Sequence, residues 1–174
     1  MKIQLIMILL ALTGCSITNP QSDDSLTISK TPYLGKEIRT DGFYYQKWDN
    51  ENSFNNIAFF YKNGIVLNVG KSGLISEIIQ QAENSINNNY KNAKGFWGLF
   101  IVNSNSIIYE RWVGTEEGYK VYREEGNIMN DTTFVMTTVS RMKKGVKVDT
   151  KQIERIYYFK EFSPKPDSTN VFIK

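Results

Sequence analysis

The sequence predicts a mainly β protein: an antiparallel up-and-down β-barrel of about eight strands, with one α-helix inserted after the second strand. Aromatic and β-branched residues are frequent, including ten Tyr and ten Phe, and these residue types favour strands. Short apolar or alternating segments recur along the chain with turn signals between them. Closure into a barrel removes the exposed sheet edges that such strands would otherwise leave.

The first strand is predicted at Ile38–Trp48, where the internal Gly42 suggests a bulge or a bend. Ile57–Gly70 follows, and its Asn63-Gly64 dipeptide between two apolar runs is typical of a hairpin. One long kinked strand is the alternative for this segment.

The helix is predicted at Leu74–Ile86, because apolar residues recur there at spacings of three and four on a polar background. We favour a helix that closes one end of the barrel over a lid or a partner-binding helix. The later strands are predicted at Gly95–Asn103, Ser106–Gly114, Gly118–Gly126, Ile128–Met142, Gln152–Phe162 and Thr169–Lys174.

Composition argues against most catalytic classes. The chain has no histidine and one cysteine, which excludes Ser-His and Cys-His nucleophiles, His-rich metal sites and an intramolecular disulfide. Glu110 and Asp131 are the only acids that we consider as a facing pair, and no motif supports them. We therefore predict no enzyme, no cofactor and no metal.

The densest basic patch, Arg141–Lys147, is interpreted as a solvated hairpin turn around Gly145, and no nucleic-acid partner is predicted.

The N-terminal segment has the features of a secretory signal. Met1-Lys2 is followed by about a dozen apolar residues, too few to span a bilayer of roughly 30 Å. Leu12-Thr13-Gly14-Cys15 then resembles the lipobox of bacterial lipoproteins. The resemblance implies that residues 1–14 are a signal peptide and that Cys15 becomes the acylated first residue, which anchors the protein to a membrane.

The residues after Cys15 bear on which membrane the protein is anchored to. Ser16 in place of an Asp implies the outer membrane, on either its periplasmic or its cell-surface face. Ser22-Asp23-Asp24 is similar to the acidic export tags of surface lipoproteins. Residues 15–36 are otherwise predicted to be the lipidated N-terminus and a flexible polar tether.

Residues 37–174 are predicted to form the barrel domain. "GFYY", "FYKNG", "GNIMNDTTF" and "FSPKPDSTN" resemble landmarks of lipocalin-like lipoproteins of the Bacteroidota, a largely uncharacterised group. The resemblance implies a lipocalin-like barrel in the cell envelope. Tyr44, where a lipocalin Trp would stand, is predicted to close the barrel floor.

Two strands carry the candidate ligand residues. By alternation Tyr109 and Arg111 share one face of a strand, and Arg155, Tyr157 and Phe159 share one face of another. An interior Arg among aromatics would hold the anionic group of a small apolar or amphipathic molecule. The alternatives are arginines at the barrel end or outside it, and an envelope structural or protein-interaction module whose barrel is filled by its own side chains. The sequence leaves the oligomeric state open.

Overall fold

A computed structural model describes residues 23–47, 53–70, 73–74 and 90–174 of the chain. Nine strands lie in these ranges: β1 Gly42–Lys47, β2 Ser53–Phe60, β3 Ile65–Val69, β4 Gly73–Leu74, β5 Trp97–Asn103, β6 Ser106–Thr115, β7 Gly118–Asn130, β8 Thr133–Lys143 and β9 Val146–Glu161. Two 3-10 turns, Tyr90–Asn92 and Lys94–Phe96, precede β5.

The predicted helix at Leu74–Ile86 lies outside the described residues, except for Leu74 in β4. Within the described ranges we find no helix long and apolar enough to cross a membrane.

Eight of the strands close into an antiparallel barrel, which confirms the predicted barrel. Each long strand pairs with the next along the chain, β9 pairs with β1, and β4 adds only a short pairing to β2. We call the end where β6 finishes and β7 begins the open end. The opposite end, where β5 finishes and β6 begins, is the closed end.

The β2–β3 turn settles the choice between a hairpin and one kinked strand. Asn63 accepts a hydrogen bond from the Ile65 amide through its side chain, and Gly64 adopts a φ of 82°. A Cβ atom on Gly64 would come within 2.2 Å of the Thr31 carbonyl oxygen. Glycine is therefore required both by the turn and by the close approach of the N-terminal segment.

The barrel interior is closed at one end by a cluster of aromatic side chains. Phe60 on β2 meets Phe134 on β8 with ring centroids 5.8 Å apart, and it meets Phe100 on β5 at 4.9 Å. Since β2 and β8 are not neighbours in the sheet, these contacts cross the barrel. We call this cluster the aromatic floor: Tyr44, Phe60, Phe100, Tyr109, Phe134 and Tyr157, all buried. Tyr44 lies in it, as predicted.

The outer face of the barrel carries a second apolar core, which residues of the strand-free segments before β1 and after β9 help to cover. Leu26 and Ile28 from the N-terminal segment and Phe172 and Ile173 from the C-terminus pack against it. The ammonium of Lys165 donates to the carbonyls of Thr40 (2.6 Å) and Phe60 (2.8 Å). The C-terminal segment is thereby fixed to the closed end.

Two segments differ from the sequence predictions. Residues 169–174 were predicted as a strand but form a turn, in which the side-chain oxygen of Asn170 accepts the amides of Phe172 and Ile173. Residues 23–36 were predicted as part of a flexible tether but are packed on the barrel. The polar residues of that segment remain largely exposed, but Asp23 and Thr27 bond to the barrel through their side chains, and Leu26 and Ile28 pack on it.

We call residues 23–40 the strap, because they run along the barrel from one end to the other. At the open end the Asp24 amide donates to the Tyr119 carbonyl at 2.8 Å, and the Trp112 indole donates to the Asp24 carbonyl at 2.8 Å. At the closed end the Tyr33 amide donates to the Lys62 carbonyl at 2.8 Å. The strap therefore begins beside the mouth of the barrel and ends beneath its floor.

Candidate ligand cavity

A cavity of about 630 Å³ lies inside the barrel, between the aromatic floor and the open end. A volume of this size is typical of small-molecule sites. Its described lining comes entirely from β6 to β9: Arg111, Val113, Tyr122, Glu124, Val139, Arg141, Asp149, Lys151, Ile153 and Arg155.

The lining carries an excess of positive charge. Four of its side chains are cationic (Arg111, Arg141, Lys151 and Arg155) and two are anionic (Glu124 and Asp149), which leaves two formal positive charges. A concave wall of low dielectric constant concentrates the potential of such charges. The cavity is therefore electrostatically suited to an anion.

Register explains why these residues meet. Arg111 on β6 pairs with Tyr122 on β7, and Tyr122 pairs with Arg141 on β8. Paired residues in neighbouring strands point to the same face, so the two arginines flank Tyr122 on the inner wall, with backbones about 10 Å apart. One row deeper, Tyr109 pairs with Glu124.

A layer of unpaired polar groups begins at the hydroxyls of the floor tyrosines and extends toward the open end. Among the described residues, eight buried side-chain polar atoms have no hydrogen-bond partner, and seven of them belong to side chains that face the barrel interior. The seven are Gln46 Oε1, Asn68 Nδ2, Tyr109 Oη, Arg111 Nε, Glu124 Oε2, Arg141 Nε and Tyr157 Oη. Buried polar atoms are nearly always paired, so such a concentration calls for an explanation at this place.

Four of the seven residues lie outside the cavity lining. Tyr109 and Tyr157 belong to the aromatic floor, and Gln46 and Asn68 are assigned to the interior by register. Gln46 pairs with Tyr157, and Asn68 pairs with Ala58, both of which belong to the interior cluster. The polar layer thus extends around the barrel beyond the wall that carries the cations.

Glu124 is the buried anion of this layer. Its Oε1 accepts a hydrogen bond from Nη1 of Arg155 at 3.1 Å, whereas its Oε2 accepts none. The Glu124 side chain is 3% exposed and that of Arg155 is 32% exposed. An acceptor site on a buried carboxylate is therefore left open toward the interior.

Two tyrosines at the base of the cavity stay neutral. Burial, followed by the nearby charge of Glu124, raises the pKa of Tyr109 well above its ordinary value and raises that of Tyr157 to about 12. The two hydroxyls are close enough that each shifts the pKa of the other through a hydrogen-bonding interaction, although neither forms a hydrogen bond of normal geometry. Both hydroxyls can donate to a guest at neutral pH.

The structure brings together four of the five predicted ligand residues. Arg111 and Arg155 line the cavity, and Tyr109 and Tyr157 lie at its base. Phe159 is elsewhere: its ring packs on Tyr44 in the floor, with centroids 5.2 Å apart, and lies under the Arg39 guanidinium at the closed end.

Glu110 and Asp131 do not form a pair. Glu110 is on the outer face of β6, where it binds Arg123 and the strap, while the Asp131 carbonyl caps the closed end by accepting the Tyr44 hydroxyl. Alternation along β6 explains the separation, because Glu110 and its neighbour Arg111 point to opposite faces.

Sequence reasoning did not assign Glu124, Arg141, Gln46 or Asn68 to the site. The interpretation of Arg141 as part of a solvated turn is wrong, because Arg141 lines the cavity and its Nε is buried. The sequence signal that could have identified these residues is a polar residue two positions from an inward-facing apolar residue, because residues two apart in a strand share a face. Gln46 follows Tyr44 in this way, and Asn68 follows Val66. This signal can be interpreted only when the pairing register is known, because the neighbouring strand determines which face points inward.

No protein-family model, curated protein or solved structure matches this chain. In the described part of the chain, no group of three or more His, Cys, Asp or Glu side chains is arranged to hold a metal ion.

Proposed function

We propose that this protein is a membrane-anchored lipoprotein of the bacterial envelope whose barrel binds a small amphipathic molecule. One observation carries the binding role: the interior polar layer, in which seven buried atoms lack partners beside a cavity of about 630 Å³. A barrel filled by its own side chains would leave no such space beside these polar groups. A guest in the cavity would pair with them in place of water.

The path of the strap supports the anchoring role. Asp23 lies at the open end, where its carboxylate accepts the Tyr119 amide at 3.0 Å and pairs with Lys94 at 2.7 Å. Only seven residues separate Asp23 from Cys15, so an acylated Cys15 would hold the mouth within about 29 Å of the bilayer. Under this proposal the cavity exchanges its ligand close to the membrane surface.

The same contacts argue against Asp23 and Asp24 as a free export tag. Asp23 is engaged by Lys94 and Tyr119, and the backbone of Asp24 is bonded on both sides. We therefore base the proposal on the anchor alone and propose the outer membrane without choosing its face.

Native mass spectrometry of the full protein, extracted from its own membranes, tests the binding role. We expect a bound species that is lost when the protein is unfolded and refolded. Repeated recovery of the bare protein would contradict ligand binding and favour the alternative role as a structural or protein-interaction module.

Cys15→Ser tests the anchor separately. We expect this variant to leave the membrane fraction while the parent protein sediments with it. A matched Ser16→Ala variant, which keeps the thiol, should remain with the membrane. Sedimentation of the Cys15→Ser protein with membranes would contradict lipid anchoring at this residue.

A further inference from the structure

We propose that the cavity selects an organic oxyanion that carries a hydroxyl or amino donor beside its acid group, and that this ligand enters acid end first. The inference rests on the proposed function and specifies the chemistry of the same site. It follows from the positions of the free donors, the free acceptor and the apolar side chains.

The free donors favour an oxyanion. Arg111 and Arg141 flank Tyr122 on one wall, and the Nε of each is buried without a partner. A guanidinium donates in a planar fork that matches the oxygens of a carboxylate or a phosphate. No described acid is bonded to either Nε, so these donors are available to a guest.

The free acceptor requires a donor on the ligand. Glu124 Oε2 is buried and unpaired, while Oε1 is held by Arg155. An approaching oxyanion alone would be repelled by this carboxylate. A hydroxyl or amino group next to the acid would instead donate to Oε2 while the acid group occupies the arginines.

The orientation follows from what lies above and below the charges. Below them the aromatic floor is filled, with Phe134 and Tyr157 stacked at 4.8 Å. Above the two arginines the cavity continues toward the mouth, where Val113 is two residues closer to the open end than Arg111. An apolar chain therefore has space only toward the mouth.

Calorimetric titration of the full chain carrying Cys15→Ser tests the inference with four probes: β-hydroxyoctanoate, octanoate, octanol and inorganic phosphate. We expect octanoate to bind at least tenfold more tightly than octanol, because charge-assisted hydrogen bonds are worth about 1.5–3 kcal/mol. β-Hydroxyoctanoate should bind more tightly again. Weak phosphate binding would show that the apolar chain contributes.

The source of the acid is tested with phosphatidylcholine vesicles that contain β-hydroxyoctanoate. Transfer of the acid to the protein at the affinity measured in solution would identify free acid as a sufficient source. Binding that requires the vesicle would identify the membrane as the source.

Four variants assign the contacts. Arg111→Gln and Arg141→Gln should each weaken octanoate binding about tenfold, and Arg111→Lys should recover part of the loss because it keeps the charge. Arg39→Gln is the matched control, since it makes the same change in net charge at the closed end. It should leave binding unchanged.

Glu124→Gln tests the donor requirement. This variant should reduce the preference for β-hydroxyoctanoate over octanoate to nearly one, without weakening octanoate binding. Equal thermal unfolding midpoints in all variants would separate a binding defect from a folding defect. If a variant fails to fold, the order of affinities of the four probes for the unsubstituted cavity still tests the oxyanion and donor requirements.

The outcomes distinguish this inference from the proposed function. Equal binding of octanol and octanoate would contradict selection of an oxyanion but leave the ligand-binding role intact. The same conclusion would follow if neither acid bound and native mass spectrometry showed a neutral ligand on the protein. A protein that is always recovered bare and binds none of the probes would overturn both.

Discussion

The described part of the chain contains two Glu–Arg pairs with a buried carboxylate, one on each side of the same barrel wall. Glu110 and Arg123 lie on the outer face under the strap, with the nearest oxygen and nitrogen 2.7 Å apart. Glu124 and Arg155 lie in the interior, 3.1 Å apart. The outer carboxylate is fully buried and the inner one is 3% exposed, so burial alone does not distinguish them.

The two carboxylates differ in how completely they are bonded. Glu110 accepts the Thr27 amide (2.6 Å), the Thr27 hydroxyl (2.5 Å), the Ile28 amide (3.2 Å) and Nε of Arg123 (2.8 Å). Glu124 accepts one hydrogen bond and leaves an oxygen unpaired. A buried ion pair stabilises a fold only when its remaining hydrogen-bonding capacity is satisfied. We therefore assign the outer pair to holding the strap and the inner pair to binding.

The largest effect is expected from Glu110→Gln. Either orientation of the amide turns its NH₂ group toward donors from Arg123 or the strap, and Arg123 loses its counter-charge in a buried site. We expect the free energy of unfolding to fall by about 3–5 kcal/mol, the usual cost of breaking a buried pair. Urea denaturation measures this loss. A loss below about 1 kcal/mol would contradict the structural role of the outer pair.

Thr27→Val is expected to have the next largest effect. The Thr27 hydroxyl donates to Glu110 and accepts Nη2 of Arg123 at 2.8 Å, and valine keeps its shape without these bonds. Hydrogen bonds to charged groups are worth about 1.5–3 kcal/mol, so we expect a loss near the lower figure. Limited proteolysis should cut the strap faster. Thr31→Val, whose exposed hydroxyl bonds only to the Ser29 carbonyl, is the control and should be nearly neutral.

Glu124→Gln is expected to change stability by less than about 1 kcal/mol, although it makes the same substitution as in the outer pair. The amide oxygen can still accept from Arg155, and the change removes the charge of a carboxylate that is only half satisfied. Urea denaturation beside Glu110→Gln gives a direct comparison. Equal losses in the two variants would remove the distinction between the pairs.

The sequence was sufficient to predict the barrel because strand alternation and turn residues are local signals. The hairpins around Asn63-Gly64 and Gly145 are correct, as is the position of Tyr44 in the floor. The strap was missed because the apolar residues of its first half, Leu26 and Ile28, lie in a polar segment. Their packing depends on the outer face of β6, which is distant in sequence.

The candidate cavity was predicted only in part, for a related reason. Alternation within a single strand was enough to group Tyr109 with Arg111, and likewise to group Arg155 with Tyr157. Their meeting with Glu124 depends on register across β6 to β9, including shifts in β7–β8 and β8–β9 pairing. Alternation identifies a shared face within one strand, whereas register determines which faces enclose a common space.

The smallest effect is expected at an exposed pair, Lys91–Asp167, whose groups are 2.7 Å apart and about half exposed. The hydrogen bond from Lys91, followed by that from Thr169, lowers the pKa of Asp167 to about 2 from its ordinary 3.8. A carboxylate with a lowered pKa stabilises the fold above its unfolded pKa and loses that contribution as the pH falls through the folded value. Stability from this pair should therefore be present at pH 5 and lost between about pH 4 and pH 2.

Asp167→Asn should remove this dependence and cost less than about 1 kcal/mol at neutral pH, because solvent screens exposed pairs. Thermal unfolding of both proteins at several pH values between 2 and 7 would show two curves that converge at low pH. Curves that stay parallel would mean that the charge of Asp167 contributes nothing. A loss as large as that of Glu110→Gln would contradict this expectation. It would mean that solvent exposure does not weaken the Lys91–Asp167 pair relative to the buried Glu110–Arg123 pair.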